Sequence, residues 1–427
     1  MSEELKWMRL DNAAKIFPAI IRRNWNNVFR VSAVLTEPVD PEILQSAVEA
    51  VIPRFPSMAV RLRRGMFWYY LEQVPHAPQV RVDGSYPMIQ MNHQELRTCA
   101  FRILYYKNRV AAEFFHALTD GTGGMIFLKT LVAAYLSLRY DLKIQPGFGV
   151  LDLREPPRRE ELEDSFQRFA GTVAMSRKES NAYHLKGVPE PEGFRNLITG
   201  VVDTQQLKAL AHQYKATVTA FLAAVMTETL IALQKERGGK QKSVKITIPV
   251  NLRRLFGSQT LRNFALTVNP GVDPRLGDYD LQELCTIIGR QLAIEVTPKL
   301  MASRIAANVN PEQRLIMKVM PLFVKNLAMR SVYRIVGESK GSLNISNLGF
   351  QQLPETMCPY VTRLDFIIGV QATYHNNCSV ASYGNATTIN MIRNIKESEL
   401  ERRFFSRLVE LGLPVAIESN QRPLARR

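Results

Sequence analysis

The chain has 427 residues, 46% of them hydrophobic and 22% charged, so it can bury a large core and its length suits more than one domain. Gly and Pro at 23 each exclude collagen-like and Pro-rich scaffolds, and the apolar content excludes global disorder. Lys and Arg number 55 against 39 Asp and Glu, a net charge of +16 that favours anionic partners without locating them. No run of eighteen apolar residues suggests a membrane-spanning helix, and Met1 to Leu5 lacks the apolar stretch of a secretory signal. The four cysteines, Cys99, Cys285, Cys358 and Cys378, lie far apart, so a reduced cytoplasmic protein is expected.

In chain order, Asn26 to Leu35 reads as a strand, and Asp40-Pro41 opens a helix running to about Arg54. Short strands follow at Met58 to Arg63 and Met66 to Leu71. Phe101 to Tyr106 and Arg109 to Phe115 form a hairpin across Lys107-Asn108. A Gly-rich corner then leads into an apolar helix from about Gly124 to Tyr140. Asp152 to Glu192, with Pro156-Pro157 and Pro189-Glu190-Pro191, reads as a partly helical crossover. Beyond it come a strand at Phe194 to Val202, a helix opened by Asp203 and Gln206, and an apolar helix from Thr219 to Lys235. Lys242 to Val250 and Phe264 to Val268 read as strands, and Leu281 to Val336 is helical with interruptions at Pro298, Pro311 and Pro321. Strands return at Gly341 to Ser346, Asp365 to Val370, Ser379 to Tyr383 and Thr387 to Ile392. Ser398 and Glu401 read as a capping box on a last helix that Gly412 and Pro414 stop. The expected organisation is a first lobe over residues 1–150, a crossover over 151–193 and a second lobe over 194–427. Each lobe mixes strands and helices in an α/β architecture with mixed sheets.

The strongest local feature is Phe114-Phe115-His116-Ala117-Leu118-Thr119-Asp120-Gly121-Thr122-Gly123-Gly124. A buried strand ends at Phe115 and delivers a histidine where polar groups can face a cleft. An imidazole of ordinary pKa near about 6.5 can take a proton from a hydroxyl or amine without a metal. Asp120 either orients His116 or braces the corner through a distant arginine, and the glycines permit positive φ or close approach. The same residues also fit a satisfied core histidine followed by a turn, with the Thr122 hydroxyl capping the helix. No metal site is expected, since His375 near Cys378 lacks two further ligands at sensible spacing.

His116-Ala117-Leu118-Thr119-Asp120-Gly121 resembles the His-x-x-x-Asp-Gly core of acyltransferases related to chloramphenicol acetyltransferase and peptide-synthetase condensation domains. Leu10-Asp11-Asn12-Ala13-Ala14-Lys15-Ile16-Phe17-Pro18, Pro249-Val250-Asn251-Leu252-Arg253-Arg254 and Ser346-Asn347-Leu348-Gly349 match in consistent order. Within that superfamily the chain looks most like the bacterial alcohol acetyltransferase branch. The resemblance implies two lobes with an active-site tunnel between them and His116 as general base. It also implies Asp120 as a structural residue paired to Arg253, and Gly121, Ser346, Asn347 and Asn263 as turn or tunnel-wall positions. Condensation domains usually carry two adjacent histidines, and here the first position is Phe115, which weakens a peptide-bond-forming reading. The Asp-Phe-Gly-Trp-Gly segment of the plant branch is missing.

The resemblance further implies acyl transfer from a thioester to a hydroxyl, with acyl-CoA, expected to be acetyl-CoA, as cosubstrate and no tightly bound cofactor. Alternatives are an N-acyltransferase or condensation enzyme with a carrier-protein-bound donor, and a catalytically idle module that binds a partner or lipid. A monomer is expected. Nucleic acid is not an expected partner, because no helix-turn-helix, finger spacing or RNA-recognition motif accompanies the spread charge. Arg314 to Arg334, with Phe323 among Lys318, Lys325 and Arg330, fits a peripheral membrane contact, although Pro321 favours a core helix with a solvated basic edge.

Overall fold

The computed structural model describes residues 7–21, 27–84, 86–175, 179–333, 339–371 and 374–420. Of three sheets among the described residues, the two larger ones carry two hydrophobic cores. The first sheet has the strand order Val361–Ile368, Val28–Leu35, Arg109–Phe115, Phe101–Tyr106, Arg81–Val82. The hairpin read across Lys107-Asn108 forms as expected, with Phe101 opposite Phe114 and Tyr106 opposite Arg109. Both faces of its second strand are buried, which is why the run is almost continuously apolar. Its one charged interior residue, Glu113, is neutralised by Arg30 and Arg102.

Helix Gly121–Tyr140 packs on this sheet and on helix Pro41–Val51. Phe127, Leu128 and Leu131 fill the gap, and Phe127 meets the rings of Phe55, Phe101 and Phe114 edge-on. This helix and Val218–Arg237 are long and apolar enough to cross a membrane, and each is mostly buried within the fold.

The second sheet runs Ala265–Val268, Val244–Asn251, Leu343–Gln351, Asn376–Tyr383, Ala386–Arg393, Asn196–Asp203, Ala416–Ser419. Leu343–Gln351 lies parallel to both its neighbours, and its register slips between Asn347 and Phe350, where Gly349 takes φ +73°. One strand crosses between halves of the chain. Val361–Ile368 pairs antiparallel with Val28–Leu35, placing Asp365 opposite Ser32, so a late segment completes the first sheet.

Three readings need correction. Ser398 makes no capping bond, because Glu401 is 1% exposed and accepts from Asn376 Nδ2 at 3.0 Å beside Arg393. Pro311 does not interrupt its helix, which spans Pro298–Gln313 with that proline in its final turns. Helix Leu322–Val332 keeps Arg330 exposed but withdraws Lys325 from the expected basic edge. Lys325 is buried on the Trp68 ring at 3.8 Å and donates to the Phe67 carbonyl at 2.9 Å. Phe323 and Leu327 are instead 67% and 68% exposed. Asn26, Arg334 and Val336 lie outside the described residues.

Candidate active site

Strand Arg109–Phe115 ends with Phe115 sealed in the core, and the next residue leaves the sheet. The His116 N–H is held by the Asn27 carbonyl at 2.8 Å, and the Leu118 N–H donates to the Phe115 carbonyl at 3.0 Å, closing the turn. Asp120 then caps the following helix, accepting from the N–H groups of Thr122 and Gly123 at 3.1 and 3.2 Å. The cap is therefore the carboxylate rather than the Thr122 hydroxyl, which instead accepts from Asn251 Nδ2 at 3.2 Å.

The other oxygen of Asp120 accepts from Arg253 Nη1 at 2.8 Å and from the Phe264 N–H at 2.9 Å. Burial alone raises the carboxyl, but the Arg253 charge and these donors more than offset it and hold it below the usual carboxylate range. The structure thus brings Asp120 and Arg253 together across 133 residues. The glycines do not serve positive φ, because none of Gly121, Gly123 and Gly124 adopts it. They serve close approach: a Cβ on Gly123 would stand 2.3 Å from the Leu261 carbonyl oxygen.

The His116 ring is stacked on Phe17, with centroids 4.7 Å apart, and meets Phe29 edge-on at 5.1 Å. Its Nδ1 lies 3.0 Å from Asn263 Oδ1. The amide orientation is set from behind, because Asn263 Nδ2 donates to Asp11 Oδ2 at 3.3 Å. The amide oxygen must then accept from Nδ1–H, which leaves Nε2 as the lone-pair nitrogen. That nitrogen has no hydrogen-bond partner among the described residues. Burial lowers the imidazole pKa, outweighing the neighbouring carbonyls, the Asp120 charge and the Asn263 bond, so the neutral ring prevails at pH 7.

Asp11 is fully buried and pushed up to about 6 by burial, partly offset by Arg262. Its Oδ1 accepts the Ala14 N–H at 2.7 Å, fixing the turn that carries Phe17 toward the histidine. Replacing Asn263 with Leu should lower kcat roughly 10- to 100-fold, about 1.4–2.7 kcal/mol, the scale of one buried hydrogen bond lost. The KM should change little; steady-state kinetics on the purified variant would check it. A second expectation concerns pH. Because the folded imidazole pKa is depressed, the acid limb of kcat/KM should fall below the ordinary imidazole range, and a pH–rate profile reads it directly.

His116 lines a cavity of about 960 Å³ between the two sheets. Residues of both halves form its wall, among them Phe29, Met125, Asn251, Ser346 and Phe366, and it reaches solvent at Phe148 and Phe350, 59% and 48% exposed. Such a volume lies at the upper end of ligand sites, roughly 300–1,000 Å³. Asn347 has both ends of its amide engaged, Nδ2 with Thr219 Oγ1 at 3.1 Å and Oδ1 with the Gly349 N–H at 2.7 Å, so it braces the bulged strand. The Ser346 hydroxyl has no hydrogen-bond partner among the described residues and is open to the cavity. Gly121 sits where a Cβ would stand 2.8 Å from the Phe366 ring, so it admits a wall residue from the crossing strand.

No protein-family model matches the sequence, and no curated protein matches it. Solved structures do. The trichothecene 15-O-acetyltransferase of Fusarium sporotrichioides aligns with a TM-score of 0.63 at 12% identity, over 95% of this chain and 94% of that one. A Fusarium graminearum protein crystallised with coenzyme A and T-2 mycotoxin gives 0.65 at 9% identity, over 96% and 99%. The condensation domain of monacolin K polyketide synthase gives 0.59 at 11%, over 95% and 96%. The chain shares the fold of these solved structures. At such identities the likeness carries the fold and leaves the chemistry to the residues.

Around this site, sequence reasoning passed over three residues. Asp11 and Phe17 lie in a segment quoted only for its resemblance, and their contacts with Asn263 and His116 span about a hundred residues or more. Lys129 lines the cavity from an otherwise apolar stretch of helix. The lone charge in that stretch was the available signal.

Proposed function

We propose that the protein is an O-acyltransferase that moves an acyl group from a coenzyme A thioester to a hydroxyl acceptor, with His116 as general base. The observation carrying this reading is the neutral ring whose Nε2 is unengaged at the wall of a cavity large enough for two substrates. Nε2 takes the acceptor proton as the acceptor oxygen attacks the thioester carbonyl carbon. The tetrahedral oxyanion draws a hydrogen bond from the Ser346 hydroxyl. Collapse breaks the carbon–sulfur bond, and the imidazolium returns its proton to the departing thiolate. No acyl-enzyme forms, because the thioester is already activated.

As the ring charges, the Asn263 carbonyl gains a stronger donor, and ionised Asp11 polarises that amide from behind. Positioned proton transfer supplies about 10²–10⁴-fold, and alignment of the two substrates supplies much of the rest. The neighbours that are an O-acetyltransferase and a protein holding coenzyme A with T-2 mycotoxin support this assignment of donor and acceptor.

The test is a panel of acyl-CoA donors against alcohols and amines, followed by thiol release and product mass. Ester and free coenzyme A should form in equal amounts. Amide products alone would move the reading to N-acylation. Turnover only with pantetheinyl carrier proteins would move it to a condensation-type donor, and absence of all product would leave a binding module.

A further inference from the structure

Lys129 is the one charged residue of helix Gly121–Tyr140 before Arg139. It is 5% exposed, and its ammonium donates to a single acceptor among the described residues, the Phe148 carbonyl at 3.1 Å. Burial lowers it to about 8, with no carboxylate acting to restore it. The other charged residues on the cavity wall are Asp120, whose oxygens already serve four donors, and Arg254, which is exposed. A desolvated cation with unused donors on the wall of a cavity is a recognition group for an anion, since an anionic oxygen offsets the cost of burying it.

We propose that Lys129 forms an anion subsite of the cavity, receiving a carboxylate, sulfate or phosphate oxygen of a bound substrate. The proposal rests on the acyl-transfer reading and narrows its substrate class. Lys129 lies nine residues beyond Asp120, about 14 Å along the helix axis, so an anion held there, on a molecule that also reacts at the His116 corner, belongs to an extended substrate. Two sources carry that chemistry: an acceptor with an acidic group distant from its hydroxyl, and the phosphates of the coenzyme.

Lys129→Gln removes the charge while keeping a polar donor of similar bulk, and Lys129→Arg keeps the charge. Kinetics are compared for ω-hydroxycarboxylates against their methyl esters, and for acetyl-CoA against the acetyl thioester of N-acetylcysteamine, which lacks phosphates. An acidic acceptor is indicated if Lys129→Gln raises KM at least tenfold for the hydroxycarboxylates and not for their esters, with recovery in Lys129→Arg. The same selectivity for acetyl-CoA over the short thioester indicates the coenzyme phosphates. Calorimetric titration with coenzyme A and with the hydroxycarboxylates reads the subsite even if wild type transfers no acyl group, so the two readings fail separately. Equal KM and Kd in wild type and Lys129→Gln for every anionic probe, with unchanged melting, would overturn the subsite.

Discussion

Replacing His116 with Ala should lower kcat/KM for acyl transfer about 10²–10⁴-fold, roughly 3–5 kcal/mol of transition-state stabilisation, while leaving the fold close to wild type. The loss is large because neither the carboxylate nor the ammonium among the described residues of the cavity wall is placed to replace the imidazole. Asp120 is committed to Arg253 and three backbone N–H groups, and Lys129 donates to the Phe148 carbonyl nine residues further along the helix than Asp120. The structural cost is small because the ring borders a cavity, so truncation enlarges open space rather than emptying a sealed core. Water entering from that cavity can donate to the Asn263 oxygen left behind. Thiol release and thermal melting on the same preparation would check both halves of the expectation.

Asp120→Ala should behave in the opposite way, destabilising the protein by about 3–5 kcal/mol as well as slowing it. The carboxylate accepts four hydrogen bonds and ties the start of helix Gly121–Tyr140 to Arg253 and to the Phe264 backbone. Its removal leaves the buried Arg253 guanidinium bonded to the Thr260 and Arg262 carbonyls but without its carboxylate, and two helix N–H groups without a cap. The linkage has a definite sign. The folded pKa of Asp120 lies below its unfolded value, so its contribution is present above the unfolded carboxyl pKa and is lost as pH falls through the folded one. Urea unfolding of wild type and Asp120→Ala at neutral and acidic pH should therefore converge as the solution is acidified. Equal midpoints at neutral pH would remove Asp120 from its structural role.

The candidate corner was legible in the sequence because it is local. A hairpin with a two-residue break, a histidine at the strand end and an apolar helix after a Gly-rich turn fall within forty residues, and the structure keeps them in that order. What surrounds the corner is not local. Asn263 reaches His116 across 147 residues, and Asp11 reaches Asn263 across 252. The residue types were visible, but only the folded chain sets which polar side chain backs which. Strand Val361–Ile368 shows the same limit, since alternation marks a strand without naming the sheet it joins. Glu401 shows local grammar overruled, because Arg393 and Asn376 draw it away from the cap that Ser398 invited. Lys325 shows another override, with Trp68 drawing a cation inward and turning two apolar residues out.

The central claim is that His116 is neutral, protonated on Nδ1, and presents Nε2 to the substrates. Nitrogen NMR of histidine-labelled protein, with His116 assigned through its Ala variant, tests it most directly. The ring should be neutral and Nδ1-protonated at pH 7 and titrate below the ordinary imidazole range, with the Nε2 resonance moving when coenzyme A or an alcohol is added. An imidazolium at pH 7, a proton resident on Nε2, or a resonance indifferent to both ligands would contradict it.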